Sequence, residues 1–186
     1  SISVPTTASF NDGRSSHTLT GLLSGDLIIY AVAYQGSNSD ISLPTDFDPA
    51  FNTGISGYTL RAGQYVYKGT SGSYTITEIT TTNNPATVIG VFRNVGGNLT
   101  FAGDSSSNAS TYPQSTANRS ASEGDLLLSI GAASWDGGTI SAPSNFTLVG
   151  DSVSNNIHTM MAYRVVPSDG SYNGGTFSGT NPVASD

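Results

Sequence analysis

One motif occurs twice in this chain and limits what the chain can become. Gly25-Asp26 opens the run Leu27-Ile28-Ile29-Tyr30-Ala31-Val32-Ala33-Tyr34, and 99 residues later Gly124-Asp125 opens Leu126-Leu127-Leu128-Ser129-Ile130-Gly131-Ala132-Ala133. In an extended chain successive side chains point to opposite faces. Leu27, Ile29, Ala31 and Ala33 then share one face, and Ile28, Tyr30, Val32 and Tyr34 the other. Both sets are apolar, which marks a strand buried on two sides. A helix is the competing reading. The turn-forming Gly-Asp, the β-branched and aromatic content and the flanking Gly/Ser/Asn clusters favour a strand.

The remaining segments read as short strands between turns. Ser1-Ile2-Ser3-Val4-Pro5 alternates like an edge strand that the proline ends. Further strands are expected at His17–Thr20, Ile41–Leu43, Tyr58–Tyr67, Tyr74–Thr80, Ala86–Arg93 and Asn98–Phe101, with turns at Asn11-Asp12-Gly13, Gly72-Ser73 and Asn83-Asn84-Pro85. The second part of the chain repeats the order. Pro44-x-x-Phe47 matches Pro143-x-x-Phe146, Tyr67-Lys68 matches Tyr163-Arg164, Gly72-Ser73-Tyr74 matches Gly170-Ser171-Tyr172, and Asn84-Pro85 matches Asn181-Pro182. Matches in one order point to a duplication, with a first β repeat over 1–97 and a second over 98–186. The expected fold is all-β, an antiparallel β-sandwich of jelly-roll-like character with two related halves of about seven strands each. Sequence leaves open whether these form one sandwich or two in tandem. The doubly apolar strands favour halves that pack together.

Two differences between the copies matter. Tyr30 becomes Ser129 and Val32 becomes Gly131, so something is expected to pack closer on that face, which makes it the first place to look for a partner. The second copy also stops at Asn181–Asp186, where the first runs on into Val88-Ile89-Gly90-Val91-Phe92. Burying each large apolar side chain is worth roughly 1.5–3 kcal/mol, so an uncovered slot for such a strand would be costly. Three arrangements answer this: the chain is a fragment, sequence continues beyond Asp186, or a neighbouring subunit fills the slot.

Composition decides which functions to set aside. Charged residues make up 10% of the chain, against roughly 25% in an ordinary globular protein, while 29 serines, 22 threonines and 14 asparagines supply polarity instead. The net charge is −7, with Lys68 the only lysine. No basic cluster is present to neutralise phosphates or anionic lipid, so neither nucleic acid nor membrane is an expected partner. Cysteine is absent, which removes disulfides, thiolate metal sites and a cysteine nucleophile together. No basic segment leads into an apolar h-region and no apolar run reaches about 18 residues, so neither a signal peptide nor a membrane span is visible, and the missing initiator Met leaves open whether a signal peptide was removed.

The inventory of catalytic groups is thin, and no enzyme activity is expected. His17 and His158 fall in Ser/Thr-rich strands, at non-equivalent positions of the two copies. Glu78 and Glu123 are the only glutamates, one in a strand and one in a turn, a poor start for a glycosidase pair. Asp46-Phe47-Asp48 and Asp104-x-x-x-Asn108 offer oxygens without matching a cation loop, so no metal or cofactor is expected. For binding, Trp135 beside Asp136-Gly137-Gly138 and Tyr112 in the linker loop are the aromatic side chains best placed to stack on a sugar.

The order Gly25-Asp26-Leu27-Ile28-Ile29, Pro44-x-x-Phe47, Tyr67-Lys68 and Phe92-Arg93, with its second occurrence from Gly124-Asp125, resembles β-sandwich modules of phage virion proteins and bacterial surface proteins. It departs from them in Phe47, where such modules often carry Gly-Trp, and in Asn94, where a glycine commonly follows. The resemblance implies a non-enzymatic module exposed on a surface. The expected function is that of a structural protein on a phage virion exterior, a capsid decoration protein or fibre module. Its expected partners are the major capsid protein or fibre components and further copies of itself. The alternative is a carbohydrate- or receptor-binding module of a tail fibre or secreted bacterial surface protein.

Overall fold

The computed structural model describes residues 1–35, 42–55, 58–79, 85–96, 118–134, 139–154 and 157–179. Among them are fourteen strands and no helix. Seven precede residue 97: β1 (Ser3–Phe10), β2 (Ser16–Thr20), β3 (Leu27–Gln35), β4 (Asp48–Ile55), β5 (Tyr58–Val66), β6 (Ser73–Thr77) and β7 (Ala86–Arg93). Seven follow it: β8 (Arg119–Ala121), β9 (Leu126–Ser134), β10 (Ile140–Ser141), β11 (Thr147–Ser154), β12 (Ile157–Val165), β13 (Gly170–Tyr172) and β14 (Ser178–Gly179). The fold is all-β, antiparallel and sandwich-like.

A five-stranded sheet, β1-β7-β3-β5-β4, forms the middle of the molecule. The doubly apolar pattern of β3 has its cause here, because both faces of this sheet are covered. On one side Ile28, Tyr30, Val32 and Tyr34 meet Leu19 and Ile76 from the two-stranded β2–β6 sheet, together with Phe10, Phe47 and Tyr67. On the other, Leu27, Ile29, Ala31, Val88 and Phe92 meet Val149 and Met161, with Leu126, Leu128 and Tyr163 packed alongside. These last residues belong to the sheet β11-β12-β9, so the two parts of the chain bury apolar surface against each other. Ser152 Oγ donates to the Phe10 carbonyl at 2.8 Å, and Thr159 Oγ1 to the Ala86 carbonyl at 2.8 Å. The two buried hydroxyls thereby bind carbonyls across the seam and avoid the cost of desolvation without a partner.

Gly90 lets the sheets come this close. A Cβ there would lie 3.0 Å from Val149 Cγ1 and 2.9 Å from the Phe92 ring. On the far face of β9–β12, Phe177 is buried with Met160, Ala162 and Ile140. Its ring stands 3.6 Å from where a Gly131 Cβ would be. The bulk lost at Gly131 is thus taken up by a phenylalanine of the same chain, on the face where a partner was expected.

Both Gly-Asp turns are built alike. Gly25 and Gly124 adopt φ of 92° and 87°, left-handed values that suit glycine. Gly25 N–H donates to the Tyr67 carbonyl and Tyr67 N–H to that of Asp26; Gly124 and Val166 make the same two bonds with Val166 and Asp125. These bonds give Tyr67 the place of Val166, and Tyr65 that of Arg164. The sequence match of Tyr67-Lys68 with Tyr163-Arg164 is therefore displaced by three residues. Other local differences have simple causes. Pro5 does not end β1, because β1 is an edge strand with one neighbour among the described residues and its register shifts between Ser3 and Thr6. Ser42 and Leu43 lie outside the strands, whereas Asp48–Ile55 forms β4. Ile41 and Asn98–Phe101 lie outside the described residues.

Candidate functional site

Trp135 and Tyr112, the aromatic binding residues expected from sequence, lie outside the described residues, as does Asp104–Asn108. The other candidates hold structural contacts. Asp46 accepts a hydrogen bond from the Tyr74 hydroxyl at 2.6 Å, and burial together with that carboxylate pushes the phenol pKa up. Glu78 accepts from Thr45 Oγ1, while the Glu123 backbone N–H donates to Asp169 at 2.9 Å. Glu78 is thus engaged through its carboxylate, and Glu123 through its backbone. No group of three or more His, Asp or Glu side chains is gathered among the described residues.

The histidines are packed into the fold. His17 stacks on Phe10 with ring centroids 5.2 Å apart, and its Nδ1 lies 3.1 Å from Arg14 Nη1. Burial, then the Arg14 charge, lowers its pKa. His158 on β12 is 1% exposed, with Nδ1 3.7 Å from Asp151 Oδ2. Burial lowers its pKa too, and Asp151 only partly opposes the shift. Burial thus favours the neutral form of both rings in the folded state, while an unfolded histidine takes up its proton near pH 6.5. The unfolded chain then binds more protons on acidification, so stability falls as pH drops through about 6.5, by at most about 1.4 kcal/mol per pH unit for each histidine. Urea unfolding at pH 7.5 and 5.5 is expected to show this loss. His158→Gln is expected to flatten the pH dependence even where it lowers stability at pH 7.5, and an unchanged slope would contradict the assignment.

A surface depression is a further candidate. It lies on the second part of the chain, has a volume of about 440 Å³, and is walled by Asn118, Asn145, Arg164, Tyr172 and Asn173 among others. The turn that follows β10 brings in Asn145, at φ 68°. The Tyr172 hydroxyl donates to the Ser168 carbonyl at 2.6 Å, and the Arg164 guanidinium lies 5.0 Å from its ring centroid. Asn173 Nδ2 donates to Asn118 Oδ1 at 3.1 Å. The corresponding ground near the first turn is filled: Tyr65 stacks on Tyr74 at 4.8 Å, and Tyr74 is tied to Asp46. Arg164 stands in the place of Tyr65, and Asn145, in the Pro-x-x-Phe match, in that of Asp46. The exchange replaces an aromatic stack by an amide- and guanidinium-lined depression suited to hydroxyl or carboxylate ligands. Sequence reasoning missed it because the displaced Tyr163-Arg164 match hid the substitution at Tyr65.

No protein-family model, curated protein or solved structure matches the chain.

Proposed function

We propose that this protein is a non-enzymatic structural component of a phage virion exterior, a capsid decoration protein or fibre module that works as an oligomer. The observation that carries the reading is β9. Leu126–Ser134 carries Leu126, Leu127, Leu128, Ile130, Ala132 and Ala133, yet it lies at the edge of its sheet with β12 as its one neighbour among the described residues. A long apolar edge strand is a template for association with another chain, and proteins that do not assemble usually blunt such edges with charge or proline. The low charge and hydroxyl-rich composition suit a surface layer, and the resemblance to virion modules agrees with them. Light scattering behind size exclusion, together with sedimentation of purified particles, tests the proposal. Oligomers and co-sedimentation are expected; a strict monomer that is absent from particles would overturn it.

The depression around Tyr172 and Arg164 favours a second reading, a carbohydrate- or receptor-binding module. A glycan array should then show a binder that Tyr172→Ala abolishes, and a blank array counts against it.

A further inference from the structure

The two parts of the chain offer an internal comparison for the depression around Tyr172. In the first, the corresponding ground holds Tyr65 stacked on Tyr74, and the Asp46 carboxylate accepts from the Tyr74 hydroxyl at 2.6 Å. In the second, Arg164 stands in the place of Tyr65 and Asn145 in that of Asp46. The exchange adds a cation and removes an anion, so the local formal charge goes from −1 to +1 in a chain whose net charge is −7. Arg14 and Arg93 each pair with an aspartate at 2.7 Å. Arg164 has no ion pair among the described residues, and no Asp or Glu is among the described residues that wall the depression.

Arg164 is half-buried, with its guanidinium 5.0 Å from the Tyr172 ring centroid. The aromatic contact places the cation and leaves its planar N–H fork to an acceptor of matching geometry. The other walls are fixed in advance. The Tyr172 hydroxyl is tied to the Ser168 carbonyl, and Asn173 Nδ2 to Asn118 Oδ1, while Asn173 Oδ1 accepts from the Gly175 N–H at 2.9 Å. Gly175, at φ 66°, lies so near Pro143 that a Cβ there would stand 2.5 Å from the proline Cβ. That close approach holds the loop carrying Asn173 against the turn carrying Asn145. A ligand that meets these groups does not have to order them first. The volume of about 440 Å³ falls among small-ligand sites, which run from about 300 to 1,000 Å³.

We infer that this depression takes a carboxylate-bearing sugar, a uronic or sialic acid unit, with its carboxylate on the Arg164 fork and its hydroxyls on the amides of Asn118, Asn145 and Asn173. One guanidinium balances one negative charge, which fits a carboxylate better than a doubly charged phosphate. Amides offer both donors and acceptors, as sugar hydroxyls require. This inference rests on the carbohydrate-binding reading above and names the class of sugar.

A glycan array with neutral, carboxylate-bearing, sulfated and phosphorylated members, probed with the 186-residue protein, is expected to give signal among the carboxylate-bearing members alone. Calorimetry then compares a captured glycan with its methyl ester, which keeps every hydroxyl and loses the charge. The ester should bind about tenfold more weakly, as loss of a charge-assisted pair implies. Arg164→Gln should weaken the acid by a similar factor and leave the affinity for the ester unchanged, so the two losses do not add. Arg164→Lys keeps the charge without the fork and should fall between them. Equal binding of acid and ester overturns the inference, as does signal confined to neutral, sulfated or phosphorylated glycans; either result leaves the carbohydrate-binding reading standing. A blank array removes that reading and the inference with it. The ester comparison uses the unchanged protein, so it decides the matter whether or not the Arg164 variants fold.

Discussion

Phe92→Ala is expected to lower the unfolding free energy by about 3–5 kcal/mol, the usual cost of truncating a buried aromatic. Phe92 is 0% exposed, and its ring meets Tyr163 edge-on with centroids 5.7 Å apart. It is therefore a core residue for both parts of the chain at once. In a protein of this length each kcal/mol shifts the melting point by roughly 2–4 °C, so a drop on the order of 10 °C should be seen by calorimetry. The sharper expectation concerns shape. Because Phe92, Val88, Val149 and Met161 share one apolar seam, the variant should still melt in a single transition. Two separated transitions would mean that the seam contributes little and the two parts are independently stable.

The second large effect is a contrast between two aspartates in matching turns. Asp26→Ala removes a buried carboxylate that accepts from Arg93 and from the Leu23 N–H, while Arg93 keeps its bond to the Gly21 carbonyl. The expected loss is about 2–3 kcal/mol, in line with breaking a buried hydrogen-bonded charge. Asp125→Ala loses the Ser122 bond in an exposed turn, and about 0.5–1 kcal/mol is expected. Chemical denaturation of both variants under one condition measures the difference. Burial pushes the Asp26 carboxyl up, but Arg93 and the Leu23 N–H outweigh it and hold the pKa below the usual carboxylate range. This stability is present above the unfolded value near pH 3.9 and is lost as pH falls through the lowered one. The Asp26→Ala penalty should therefore shrink in strong acid. Equal penalties for the two aspartates would contradict the burial argument.

Much of the fold was legible because it rests on periodicity. The apolar residues on both faces of Leu27–Tyr34 require two covering layers, and two layers are found. Pro44-x-x-Phe47 and Pro143-x-x-Phe146 both close with the phenylalanine N–H donating to the proline carbonyl. Other features were illegible for definite reasons. Matching Tyr67-Lys68 to Tyr163-Arg164 rewarded side-chain likeness, whereas the backbone bonds at Asp26 and Asp125 set the true register. Asp48–Ile55 contains Pro49, Asn52 and Gly54, residues that read as loop; its pairing with β5 overrides that preference. Nothing in one sequence announces that Arg93 will meet Asp26 across 67 positions. The depression around Tyr172 was hidden for a related reason, since it depends on which residue replaces Tyr65.

The pairing of β1 with β7 also has a consequence during synthesis. Ser3 lies opposite Arg93 and Phe10 opposite Thr87, so β1 must wait for β7, the latest strand of this sheet in chain order, to find its neighbour. Loop-closure entropy must be met before such distant contacts form, which makes sheets of this kind slow to fold. At roughly 5–20 residues per second, a ribosome takes several seconds to deliver residue 93 after residue 3. The seam partners of Phe92 emerge later still, Val149 and Met161 among them. Throughout that interval the nascent chain carries an unpaired strand in Ser3–Phe10. Pro5, which cannot donate to a ladder, and the register shift between Ser3 and Thr6 are the features that hinder its pairing with the wrong neighbour.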